Sequence, residues 1–227
     1  MGAIVDGKTK SVLSNDEKQG EITFLFKDEA TGDGGVFDPG ANEVMGAIEG
    51  KGSACLALSM HFFRLLGQNG IPSHFVSADL AQRTMTAKKA ALFGNGLEFI
   101  CRRYAYGSFL RRFGAYAEKM QDLGYLVEVT LKDDERGDPP VSDDILFALD
   151  IIRPEDLDTI KQLTRTIVGL IEEDLARKGL RYIDGKLEFG KVDNQVVVID
   201  EISGDSMRVM DSEGNSLSQV ELAQALL

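Results

Sequence analysis

Four consecutive apolar β-formers, Val196-Val197-Val198-Ile199, run directly into Asp200 and Glu201. Upstream, Asp184, Lys186 and Glu188 stand two apart, and in an extended strand positions i, i+2 and i+4 share a face. Between the two runs, Asp193-Asn194 suits a tight reversal. The pattern predicts a hairpin turning near Asn194, with Glu188 and Asp200 opposite or diagonal and close enough to share a cation. A surface hairpin with one solvated polar face gives the same alternation. The unbroken apolar run favours a strand covered on both faces, whose terminal acids sit at the rim of buried structure and need partners.

Other elements follow from the same periodicities. Ile4 to Leu13 reads as two short strands about a Gly-centred turn, and Ile22 to Phe26 as a third strand of an antiparallel meander. A loop rich in Gly, Pro and Asn is expected up to about Gly52. From Ser53 to Leu66 the apolar residues Leu56, Met60 and Phe63 fall at helical spacing, and Gly67, Gly70 and Pro72 end the run. Phe75-Val76 and Leu97 to Cys101 read as strands, while Arg83 to Ala90 is too polar to decide. Helices are expected at Ser142 to Ala148 and from Pro154 to about Lys178, the second with Leu157, Ile160, Leu163, Ile167, Ile171 and Leu175 on one face. The tail from Ser212 is polar with one short helix. Strands first and helices later is an α+β order.

Composition narrows the function. The 227 residues hold 25 basic and 37 acidic side chains, a net charge of −12, and such a surface repels nucleic acid. No apolar run approaches a membrane span and no basic-then-apolar leader opens the chain, so a cytoplasmic protein with no membrane partner is expected. Cys55, Cys101, His61 and His74 lack the spacing of a zinc site or a disulfide framework and are read as structural.

Three charged stretches are candidates for chemistry. Gly7-Lys8-Thr9-Lys10 puts two lysines on one strand face beside a glycine turn, which suits nucleotide phosphates or is simply a solvated face. Cys101 to Arg112 concentrates Arg102, Arg103, Arg111 and Arg112 around Gly107-Ser108, either an anion site or pairing for the surplus acids. Lys132 to Pro140 ends in Asp138, held by prolines, and together with Glu188 and Asp200 it offers hard oxygen ligands of the kind magnesium takes.

These stretches recur in a fixed order: GKTK, FKDEATGDG, EGKG, GIPSHF, CRRYAYGSF, KDDERGDPP, DGKLEFG and DEISGDSMRVMD. In that order, from Gly7 to Asp211, the chain resembles the SAICAR synthetase family. The resemblance implies a two-lobed α+β fold with antiparallel sheets and ATP in a cleft between the lobes. Residues 1–100 would form a mainly antiparallel β lobe with one helix, and 101–227 an α+β lobe. It implies an ATP- and magnesium-dependent ligase joining carboxyaminoimidazole ribonucleotide (CAIR) to L-aspartate through an acyl phosphate. A paralogous amide ligase on another carboxylate and a small-molecule kinase are the alternatives. A homo-oligomer remains open.

Residue by residue, the resemblance assigns Lys8, Lys10 and Lys132 to ATP phosphates. It puts Glu188 and Asp200 at the nucleotide-magnesium centre, with Asp138 and Asp33 assisting through metal. Arg102, Gly107, Ser108 and Arg208 fall to the ribonucleotide phosphate, and Lys186, Asp205 and Arg208 to the reacting groups. The family's usual EISPD is EISGD here, its RLWD is RVMD, and Tyr106 replaces a small residue. With a longer Gly34 to Ala47 loop and a short C-terminal tail, these departures bear on selectivity and assembly.

Overall fold

The computed structural model describes residues 3–14, 18–33, 36, 37 and 43–227. The chain opens with β1 (Ala3–Asp6), β2 (Lys10–Ser14), β3 (Glu21–Phe26), β4 (Glu29–Asp33), β5 (Val36–Phe37) and β6 (Glu43–Ala47). Helix α1 (Lys51–Gln68) is followed by β7 (Phe75–Asp79), β8 (Thr84–Lys88), β9 (Ala91–Leu92) and β10 (Leu97–Tyr104). Next come α2 (Gly107–Phe113), β11 (Asp122–Leu131), α3 (Asp143–Ala148) and α4 (Pro154–Ala176). The chain closes with β12 (Arg181–Val192), β13 (Gln195–Ile199), β14 (Met207–Met210) and α5 (Gln219–Leu226).

The strands form three antiparallel sheets: β1-β2-β3-β8-β7, a six-stranded sheet on the path β11-β10-β12-β13 with β14 and β9 also paired to β12, and β5-β4-β6. The expected hairpin is β12–β13. Asp193 and Asn194 have φ of 51° and 64°, the left-handed pair that a two-residue turn needs to follow strand twist, and Glu188 lies opposite Ile199, one residue before Asp200. Val197, Val198 and Ile199 are buried, partly because Pro72-Ser73-His74 docks on β13 through Val198 N–H to Pro72 O at 3.1 Å and His74 N–H to Val198 O at 2.9 Å.

Register gives the six-stranded sheet two unlike faces. Glu98 pairs with Glu188, Ile100 with Lys186 and Arg102 with Asp184, while Asp184 also pairs with Arg208. One face is thereby a grid of charge. The alternate residues Phe99, Cys101, Leu187 and Phe189 are buried on the other face, where α4 packs against β10, β11 and β12. Leu157, Ile160, Ile167, Val168, Ile171 and Leu175 of α4 are buried, each contributing roughly 1.5–3 kcal/mol by leaving water.

Several expectations need correction. The stretch to Gly52 is no continuous loop: β4 pairs with β6 and with β5, and the Gly34 to Ala47 insertion falls partly outside the described residues. The undecided Arg83 to Ala90 contains β8, which buries Met85 and Ala87. Strands β11 and β14 were not expected, although Leu123, Tyr125, Val127, Val129 and Leu131 alternate through β11. A division at residue 100 falls inside β10; the change of sheet comes between β8 and β9.

Candidate active site

A cavity of about 570 Å³ opens between the two larger sheets, with Gly7 to Val12 on one wall and the charged face of β10, β12 and β14 on the other. Lys8, Lys10 and Lys132 line it, as do Glu188, Asp200 and Asp138. So do Lys186 and Asp205 at its floor and Arg102, Ser108 and Arg208 at its far end. The Asp33 side chain lies outside the described residues.

At one end the cavity is a lattice of lysine–carboxylate pairs. Lys10 Nζ lies 3.1 Å from Asp200 and also donates to Glu201. Lys132 Nζ donates to both oxygens of Glu188 at 2.6 and 2.8 Å, and Lys186 Nζ to Glu98 at 2.6 Å. Lys51, fully buried, pairs with Asp205. Five carboxylates (Glu98, Glu188, Asp200, Glu201 and Asp205) thus face four ammonium groups (Lys10, Lys51, Lys132 and Lys186).

Burial and this crowding set the protonation. Burial, together with the Asp200 charge, raises the Glu188 carboxyl against the pull of Lys132 and Lys186. Burial likewise raises Glu201. Burial also pushes Asp200 up, but the ammonium groups of Lys10 and Lys132 outweigh it and hold this carboxyl well below its ordinary value. Burial would pull Lys10 down, yet Asp200 and Glu201 keep it above the usual lysine range. His74 is brought down to about 4 by burial; neutral, it donates Nε2–H to the Asp200 carbonyl at 3.0 Å.

The far end is built on Asp184, only 2% exposed. It accepts from Arg102 Nη1 and from Arg208 Nη1, both at 2.8 Å. Arg102 also donates to Ser108 Oγ at 3.1 Å and to Glu128, so three elements fix one guanidinium plane. Gly107 is not in the lining but has φ of 50°, and a Cβ there would lie 3.1 Å from Arg208 Nη2.

Asp138 sits across the cavity, its Oδ1 accepting from the Asp133 N–H at 2.8 Å. Asp138, Glu188 and Asp200 line one space without forming a tight triad; among the described residues the carboxylate group within 4.8 Å is Glu201 and Asp205 with the Cys55 thiol. Lys8 pairs with Asp134, which also lines the cavity, at 2.9 Å. Tyr106 lies outside the lining, with Lys119 Nζ 5.2 Å from its ring centroid.

Sequence reasoning overlooked Glu98, Glu128 and Lys51 as parts of the site, and it noted Asp184 and Glu201 on the charged strands without giving either a role there. The first was legible as the alternation Glu98, Ile100, Arg102 in a strand otherwise apolar. Lys51 stands in the EGKG motif, but a lysine opening a helix is ordinarily solvated and the motif does not show which acid it meets.

A cleft between antiparallel sheets, with lysine–carboxylate pairs at one end and paired arginines at the other, defines an enzyme that handles phosphate-bearing small molecules. The family model for SAICAR synthetase matches residues 3–222. A phosphoribosylaminoimidazole-succinocarboxamide synthase of Clostridium tetani (strain Massachusetts / E88) is 44% identical over 229 residues, covering 100% of both chains. The crystal structure of the synthase from Ehrlichia chaffeensis aligns with a TM-score of 0.85 at 28% identity, covering 99% of this chain and 92% of that one. A structure of a SAICAR synthetase in complex with ADP aligns with a TM-score of 0.83 at 28% identity, covering 95% of this chain and 87% of that one. The chain belongs to the SAICAR synthetase family.

Proposed function

We infer that the protein is an ATP-dependent ligase joining the carboxylate of CAIR to the amine of L-aspartate, forming SAICAR in purine biosynthesis. The observation that carries this reading is the division of a single cavity between buried lysine–carboxylate pairs and two arginines that share Asp184. The synthase names of full-length relatives and the ADP complex of a structural relative support it.

A carboxylate repels nucleophiles and has no good leaving group. In the proposed route one of its oxygens attacks the γ-phosphorus of ATP, the bond to ADP breaks, and an acyl phosphate results. The aspartate nitrogen then attacks the carbonyl carbon, phosphate departs with the C–O electron pair, and the nitrogen loses a proton. Catalysis of this kind rests on positioning and charge neutralisation.

Lys10 and Lys132, with Lys8 at the outer edge, take the ATP phosphates, exchanging carboxylate partners for phosphate oxygens. Lys186 neutralises the reacting carboxylate, and Asp205 faces the amine. Arg102, Ser108 and Arg208 hold the ribonucleotide phosphate, a geometry that suits planar forks. Gly107 leaves Arg208 its room.

A magnesium ion fits the donors: the cluster has one carboxylate more than it has ammonium groups, and a triphosphate adds further negative charge. Glu188 and Asp200 would hold it, with Asp138 on the facing loop, since magnesium takes one or two carboxylates plus substrate phosphates. Bound there, it would supply charge neutralisation to the phosphates. No helix among the described residues is long and apolar enough to cross a membrane, and a biosynthetic ligase that consumes ATP suits the cytoplasm.

The test is turnover with magnesium-ATP, CAIR and L-aspartate, each left out in turn. ADP and SAICAR should appear together and only in the complete mixture. ADP release that ignores aspartate would replace this reading with a phosphotransferase.

A further inference from the structure

Gly204, Lys51 and Gln219 meet behind Asp205, on the side away from the cavity. Gln219, the first residue of α5, is fully buried and donates Nε2–H to Asp205 Oδ1 at 2.7 Å. Lys51, the first residue of α1, is equally buried and donates to Asp205 Oδ2. The two helices pack on one another, so both begin on one carboxylate. Asp205 N–H donates to Ser203 Oγ at 3.0 Å, which fixes the turn as well. Each carboxylate oxygen accepts in two directions; one on each is filled from behind, and the remaining directions are left for the cavity that Asp205 lines.

Two further facts mark Gln219 as more than filling. Its Oε1 is the buried side-chain polar atom with no hydrogen-bond partner among the described residues, an arrangement that costs stability relative to an apolar side chain of the same shape. The reverse amide orientation would set Oε1 against the Asp205 carboxylate, so the Nε2 bond is what this amide supplies. Gly204 admits it: a Cβ there would lie 2.8 Å from Gln219 Cγ and 2.9 Å from its Cα, closer than carbon atoms pack.

We propose that Gln219 is a positioning residue for the ligase reaction: with Lys51 it clamps Asp205 so that a fixed anionic face meets the substrate amine, and the bare backbone of Gly204 lets α5 approach for that purpose. The proposal rests on the functional reading above.

Gln219→Met keeps the volume and removes the donor. The variant should lose about tenfold or more in kcat, as loss of a supporting hydrogen bond does elsewhere, with the KM for ATP unchanged and Tm close to wild type, because losing the bond to Asp205 is offset by removing the unpartnered Oε1. Gly204→Ala should displace the start of α5 and give a similar loss in kcat. The double variant should be no slower than the slower single variant, because both act through one contact. Hydrogen exchange at residues 203–206, measured without substrates, should be faster in Gln219→Met by about tenfold or more. A kcat like wild type, a fall in kcat that tracks a fall in Tm, or unchanged exchange at 203–206 would overturn the proposal. Wild-type protein that makes no SAICAR yet shows the exchange difference would overturn the functional reading instead, while supporting the clamp.

Discussion

Lys132 Nζ lies 2.6 and 2.8 Å from the two carboxylate oxygens of Glu188, although Lys132 directly follows β11, Glu188 is on β12, and β10 stands between those two strands. The pair closes one end of the cavity with a charge that a phosphate oxygen can take over. Lys132→Met keeps the apolar stem and removes that charge. A charge-assisted hydrogen bond is worth about 1.5–3 kcal/mol, so the KM for ATP should rise about tenfold or more while the KM for CAIR changes little. Steady-state kinetics varying each substrate separately checks it.

Asp184 is the shared acceptor for two arginines at the opposite end. Asp184→Asn leaves Arg102 buried with less counter-charge, and breaking a buried pair costs about 3–5 kcal/mol. Urea unfolding should show a loss of that size. Arg208→Ala, at a less buried arginine, should instead spare stability and impair CAIR use with ATP affinity kept. An Arg208→Ala enzyme with wild-type rate and Michaelis constants would remove that arginine from the site.

Gly107 combines φ of 50° with the Arg208 guanidinium 3.1 Å from any added Cβ. Gly107→Ala should cost about 1–2 kcal/mol in backbone conformation and push Arg208 aside. The expected signature is a raised KM for CAIR alongside a modest fall in Tm.

Both cysteines are fully buried. Burial holds the Cys55 thiol well above its ordinary range and pushes Cys101 up to about 12. Since the thiolate is the reactive form, a disulfide reagent at pH 8 should find almost no reactive thiol in the native protein and two after denaturation. Rapid native labelling at either position would contradict this packing.

The magnesium assignment predicts that chelation of divalent ions abolishes turnover and that added magnesium restores it. Glu188→Gln should raise the magnesium concentration needed for half-maximal rate about tenfold or more, as one carboxylate ligand is lost. An unchanged requirement would move the ion elsewhere in the cavity.

Much of the site was legible because it is local. The alternation of Asp184, Lys186 and Glu188, the Asp193-Asn194 reversal and the apolar run into Asp200 specify the β12–β13 hairpin within a stretch whose strands touch directly. The face of α4 and the start and end of α1 follow from helical spacing and from glycine and proline. The short, mixed strands β8 and β14 escaped notice because their pattern is too brief to stand apart from a loop. In β11 a second apolar residue, Leu126, interrupts the alternation.

By itself the sequence determined the chemical types, the strand face that carries them and the family to which they belong, since period and motif order are properties of neighbouring residues. Only the tertiary structure decided which charges meet. Lys10 reaches Asp200 across 190 residues and Lys51 reaches Asp205 across 154, and nothing local to GKTK or EGKG says which acid either lysine meets. Sheet register makes Asp184 common to Arg102 and Arg208, and a one-residue slip would turn those side chains to the α4 face. The approach of α5 to Asp205 depends on a missing Cβ at Gly204. Its effect exists only where two distant backbones come together.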